Sequence, residues 1–82
     1  MNPRTPQNPQ DQAALGGAIR ELRKKVGATQ DDLAKDAGIS RNMLSQIERG
    51  EGNPSWVTLR GIAAALGVPV STLAKAAETL EG

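Results

Sequence analysis

Apolar residues recur along the chain at three- and four-residue spacing, with no stretch of strand-like alternation, and caps bound the segments that carry them. The pattern predicts an all-α chain of five helices. Helix one starts with Asp11 as N-cap and aligns Leu15, Ile19, Leu22 and Val26 on one stripe, with Gly27 placed to stop it. Gly16 and Gly17 weaken its first turns by roughly 1 kcal/mol each relative to Ala, which marks either a close helix contact or a frayed start. Helix two is short: Thr29 caps it, Asp31 and Asp32 put negative charge at its positive end, and Leu33, Ala34 and Ala37 face inward before Gly38. Helix three follows with Ser40 as N-cap and Ile39 and Leu44 spaced as a hydrophobic staple. Helix four, capped by Ser55 after Asn53-Pro54, buries Trp56, Leu59, Ile62, Ala63 and Leu66 and stops at Gly67. The last helix follows Pro69 with a narrow, alanine-rich stripe of Val70, Leu73, Ala74, Ala77 and Leu80.

Helices two and three meet across a turn so tight that they form a helix-turn-helix, where small residues and a glycine permit the bend. On helix three, Leu44 and Ile47 take the core side with Met43 at its edge, while Arg41, Asn42, Ser45, Gln46 and Arg49 gather on the other. Asn and Gln pair bidentately with adenine, Arg with guanine, and Ser allows close approach to base edges or phosphates. A solvated face ordinarily favours strong helix formers with charge pairs; Asn42 and Ser45 are indifferent formers there. Arg41, Asn42, Ser45 and Gln46 are therefore the candidate base-reading residues.

Composition narrows the chemistry. With 82 residues there is room for one small core, and with no cysteine and no histidine the chain has no disulfide framework, no thiolate metal site and no imidazole base. No metal, cofactor or small-molecule ligand is expected. A hydrolase built on Ser40, Ser45 or Ser55 lacks a histidine partner, and all three serines are better explained as caps or contacts. No signal-peptide pattern and no apolar run near the ~20 residues of a membrane span is present, so a cytoplasmic address is expected. The net charge of +1 argues against non-specific coating of nucleic acid, but seven Lys/Arg against five Asp/Glu lie between Arg20 and Arg49, and two against three after Gly50. Residues 1–10, with Pro3, Pro6 and Pro9 among polar residues, read as a disordered tail, leaving 11–82 as the folded domain.

Thr29-Gln30-Asp31-Asp32-Leu33-Ala34, Gly38-Ile39-Ser40, Ile47-Glu48-Arg49-Gly50, Asn53-Pro54-Ser55 with Leu59, and Ala65-Leu66-Gly67-Val68 together resemble the Cro/repressor-type (XRE) helix-turn-helix family over roughly residues 11 to 80. The resemblance implies a compact five-helix domain whose dimers bind double-stranded operators of two-fold symmetry. It implies that Gln30 grips a phosphate, at a helix N-terminus that suits the role electrostatically, and that Arg41, Asn42, Ser45 and Gln46 hold the variable base-reading positions. Arg49 and Asn53 match positions that touch the backbone, and Ser40 and Arg23 are further phosphate candidates. Arg23 and Glu48 match a charge pair tying helix one to the end of helix three. Trp56 stands where the family usually has an aliphatic residue; its spacing with Leu59 and Ala63 predicts core packing, and Met43 is expected to pack as well. Arg4 and Lys24-Lys25 are candidates for phosphates or a minor groove, though such runs are ordinarily just solvated.

The expected function is that of a regulator, a repressor before an activator, occupying an inverted-repeat operator as a homodimer. Its dimer contacts are expected at the ends of helices four and five, where Val57, Ala76 and Leu80 offer spare apolar surface. The competing class is a protein-interaction module, an antitoxin or adaptor on the same scaffold. An apolar or acidic face on helix three would favour it, and the face is neither.

Overall fold

The described residues form five helices: α1 (Pro9–Lys25), α2 (Gln30–Ala37), α3 (Arg41–Glu48), α4 (Trp56–Leu66) and α5 (Val70–Glu81). The structure, a computed structural model, describes residues 9–81. Of the disordered tail expected at 1–10, Pro9 and Gln10 are helical instead, while the remainder, Arg4 included, lies outside the described residues. α1 includes Pro9 and Gln10, so Asp11 sits in its first turn and not at its cap. Proline suits an opening helical position, because its φ is pre-set and its missing N–H would have no intrahelical partner.

Local chemistry sets the other boundaries. Thr29 accepts the Asp32 N–H while the Asp32 carboxylate accepts the Thr29 N–H, a reciprocal capping box on α2. Ser40 and Ser55 accept the N–H of Met43 and Thr58 at 3.0 and 3.1 Å, fixing the starts of α3 and α4. Between α2 and α3 the chain reverses at Gly38 (φ 77°), where the Gly38 and Ile39 N–H groups close on the carbonyls of Lys35 and Ala34. A side chain at that φ would be strained, so glycine is what lets α3 follow after two more residues.

Each helix contributes one large, fully buried aliphatic to the core: Ile19, Leu33, Leu44, Ile62 and Leu73. Each such side chain contributes about 1.5–3 kcal/mol, and Ile47 and Leu66 of the same cluster are nearly as buried. A smaller seam of Ala14, Ala18 and Ala77 joins α1 to α5. α1 packs on both α5 and α3, α2 packs on α4, and α4 and α5 meet at 97°. Gly16 admits the close crossing of α1 over α3: a Cβ there would collide with the carbonyl oxygens of Ile47 and Glu48. Of the two readings open in the sequence for Gly16, the structure shows the close helix contact.

Several residues of the expected apolar stripes are exposed, Leu80 among them. Val26 is 56% and Trp56 61% exposed, and Met43 and Ala74 are exposed as well. Val26 lies beyond the last turn of α1, so the helical stripe no longer applies to it. Trp56 is the first residue of α4, one turn before Leu59, and the buried residues of this helix begin only at Ile62. Met43 lies at the outer edge of the α3 stripe, and Ala74 at the solvent edge of the α5 stripe. No single helix among the described residues is long and apolar enough to cross a membrane.

Candidate nucleic-acid interface

α3 is fastened along one side and open along the other. Leu44 and Ile47 are buried in the core, and Glu48 is a buried charged residue at the helix end. Its carboxylate accepts the Arg23 Nε–H at 2.7 Å through Oε2, and at Oε1 both the Arg23 Nη2–H and the Gln30 Nε2–H at 3.0 Å. Arg23 gives a further N–H from Nη1 to the Ala28 carbonyl at 3.0 Å. One carboxylate therefore joins α1, α2 and α3. The side chains of Arg23 and Glu48 are 12% and 3% exposed, so the pair is shielded from water, and both carboxylate oxygens accept hydrogen bonds. Hydrogen bonding to Glu48 and its charge raise the Arg23 pKa above the ordinary guanidinium value, against the opposing effect of burial.

On the open side, Arg41, Asn42 and Gln46 are exposed and Ser45 is half-buried, and all four lie on one stretch of α3. Gln30, Arg41, Asn42 and Ser45 line one cleft. Met43, Gln46, Asn53, Pro54, Ser55 and Thr58 line another, between α3 and the start of α4. The remaining phosphate candidates fall around this face: Ser40 at its N-terminal end, Arg49 at its C-terminal end, Asn53 on the following loop, and Arg23 behind it. Gly50, at φ 76°, turns the chain sharply beneath α1, where a Cβ would stand 2.9 Å from the Ala13 Cα. That turn carries Arg49 and Glu51 out to the surface.

Two arginines are already engaged. Arg49 donates from Nη1 to the Ser45 hydroxyl at 2.6 Å and pairs with both Glu51 oxygens, Nε to Oε2 at 3.2 Å and Nη2 to Oε1 at 3.1 Å. The pairing raises the Arg49 pKa and lowers that of Glu51, in both cases first through the hydrogen bonds and then through charge. At the other end, Arg41 Nε lies 3.4 Å from Asp31 Oδ1. Sequence reasoning missed these two carboxylates, and also Arg20, which shares a small polar cleft with Arg23, Gln30, Ser45, Glu48 and Arg49. Arg20 was legible in principle: it precedes Arg23 by one turn on the polar side of α1.

A family model described as "Helix-turn-helix" matches residues 19–80. Among curated proteins, the chain is 44% identical over 59 residues to the immunity repressor protein of Bacillus phage phi105, covering 72% of this chain and 41% of that one. It is 43% identical over 58 residues to the transcriptional regulator SutR of Escherichia coli, covering 71% and 33%. The chain thus spans well under half the length of these two relatives. Among solved structures, the restriction-modification controller protein C.AhdI of Aeromonas hydrophila is similar at a TM-score of 0.76 and 35% identity, over 77% of this chain and 96% of that one. The clp gene regulator ClgR of Corynebacterium glutamicum is similar at a TM-score of 0.84 and 32% identity, over 87% and 76%.

Proposed function

The chain belongs to the Cro/repressor-type (XRE) helix-turn-helix family of transcriptional regulators, and we propose that it acts as a repressor that binds a two-fold symmetric DNA operator as a homodimer. The observation that carries this reading is the division of α3 into a side fastened by Ser40, Leu44, Ile47 and Glu48 and an open side of Arg41, Asn42, Ser45 and Gln46. A helix held this way presents its N-terminal residues to base edges in the major groove. Asn42 and Gln46 offer amides to adenine, Arg41 its guanidinium to guanine, and Ser45 a short hydroxyl.

The phosphate contacts follow from donors left over after folding. An amide nitrogen has two hydrogens, and Gln30 gives one to Glu48, leaving the other for a backbone oxygen. Ser40 accepts the Met43 N–H and keeps its own O–H to donate. Arg49 and Asn53 flank the far end of the face. Arg23 gives three N–H groups to protein partners, so its weight lies with the structure and only its remaining donors are open to a phosphate. A second protomer, apposed through α4 and α5 at Val57, Ala76 and Leu80, sets a second α3 about 34–36 Å away, one turn of the duplex. Such a regulator works in the cytoplasm and needs no catalysis or cofactor.

The test is selection from randomised duplexes, with the Asn42→Ala/Gln46→Ala protein in parallel. The expected outcome is an inverted repeat enriched by the native chain and lost with the double variant. Failure to enrich any sequence overturns the reading in favour of a protein-interaction module, an antitoxin or adaptor. One observation favours that second reading: Trp56 and Val57 stand side by side at 61% and 77% exposure.

A further inference from the structure

The arginines at the two ends of the open face of α3 are both held by carboxylates from outside the helix: Arg41 by Asp31 of α2, Arg49 by Glu51 of the following loop. All four side chains are more than half exposed, and exposed pairs of this kind add little to stability. Their larger effect is on the field of the face, where each pair cancels a positive charge.

We propose that Asp31 and Glu51 are selectivity-determining positioning residues, which restrain Arg41 and Arg49 against capture by the phosphates of arbitrary duplex DNA while leaving both arginines placed for the operator. This rests on the DNA-binding reading above. In the Arg41 pair Asp31 faces Nε, so the two terminal nitrogens stay free for the bidentate contact that guanine offers. In the Arg49 pair Glu51 takes Nε and Nη2 while Nη1 donates to Ser45. The Ser45 oxygen is thereby used as an acceptor, which leaves its O–H to donate. Neither arginine has to leave its carboxylate to serve a well-fitted operator. Binding to arbitrary DNA has no such fit and draws its affinity from counterion release, which grows with each uncompensated positive charge set against the backbone. Two such charges are cancelled here.

The test uses the full chain with Asp31→Asn, Glu51→Gln, the double variant, and Glu78→Gln on α5 as a control of equal charge change. Each binds the selected operator and a scrambled duplex between about 50 and about 200 mM salt. Each α3-flanking variant is expected to bind the scrambled duplex about fivefold tighter at about 150 mM salt, with the salt slope steeper by about 0.9, while operator affinity changes less than about twofold. The ratio of operator to scrambled affinity then falls more than about tenfold in the double variant. Unchanged scrambled affinity, an equal gain on the operator, or an equal gain from Glu78→Gln overturns the proposal while DNA binding stands. A native chain that enriches no operator removes the DNA-binding reading and this proposal with it.

Discussion

Gln30 and Glu48, 18 residues apart, are joined by a 3.0 Å hydrogen bond from the amide nitrogen to Oε1, the same oxygen that accepts the Arg23 Nη2–H. The first helix of the helix-turn-helix thus touches the end of the second through a side chain that the resemblance assigns to DNA alone. Removing one partner of a buried pair strands the other. Arg23→Ala, which leaves the Glu48 carboxylate with the Gln30 amide but without its guanidinium, is expected to cost about 3 kcal/mol. Gln30→Ala is expected to cost about 1 kcal/mol. Urea unfolding checks both: the midpoint should fall in that order with an unchanged slope.

The adjacent glycines of α1 should respond in opposite directions. Gly16→Ala drives a methyl group into the carbonyls of Ile47 and Glu48, which cannot retreat without moving α3, and should cost about 1–3 kcal/mol. At Gly17 the added Cβ meets the tip of Leu80 at 3.1 Å, a side chain free to swing away, so the helix-propensity gain of up to about 1 kcal/mol should prevail. Thermal melts of the two single variants should shift to opposite sides of the native chain.

The Glu51 carboxyl titrates below the ordinary glutamate range because Arg49 donates to it and lies beside it. A folded-state pKa lowered relative to the unfolded chain means that the pair's contribution is present at neutral pH and fades as pH drops through the folded value. Carboxyl NMR should therefore place the Glu51 midpoint below that of a free glutamate, and Arg49→Gln should return it to the ordinary range.

Trp56 is the only aromatic residue in the chain, so intrinsic fluorescence reports on one place. In dilute protein its emission should be that of a water-exposed indole. Trp56→Ser should cost less than about 1 kcal/mol, against the 3–5 kcal/mol of a buried aromatic. If the proposed dimer uses α4, emission should move to the blue as concentration rises, and Val57→Asp should abolish the shift in step with loss of the dimer in sedimentation.

Most of the helical frame was legible because caps are local chemistry. Thr29, Ser40, Ser55, Gly38 and Gly67 act within a few residues of themselves, and each sits at the boundary its type suggests. The open face of α3 was legible for the same reason, since one turn of helix decides which side chains share a side. What escaped depends on where neighbours stop. Val26 and Trp56 have the spacing of core residues, but the first lies past the end of its helix and the second opens its own, ahead of the buried residues that begin at Ile62. The Asp31–Arg41 and Arg49–Glu51 pairs escaped because neither spacing, ten residues across a turn or two into a loop, belongs to a helical periodicity. The Gln30–Glu48 bond depends on how α2 crosses the end of α3, which no local pattern specifies.

Within the eight residues of α3, anchoring and display are assigned to different side chains. Leu44, Ile47 and Glu48 are buried on the anchored side, and Asn42 and Gln46 are exposed on the other. Under the proposed function, the alphabet of the protein is therefore separable from its grammar: a library randomised at those two exposed positions should keep its melting behaviour almost throughout while its members disagree about which operator they prefer. Such a surface lends itself to reprogramming, because new preferences carry no penalty in foldedness.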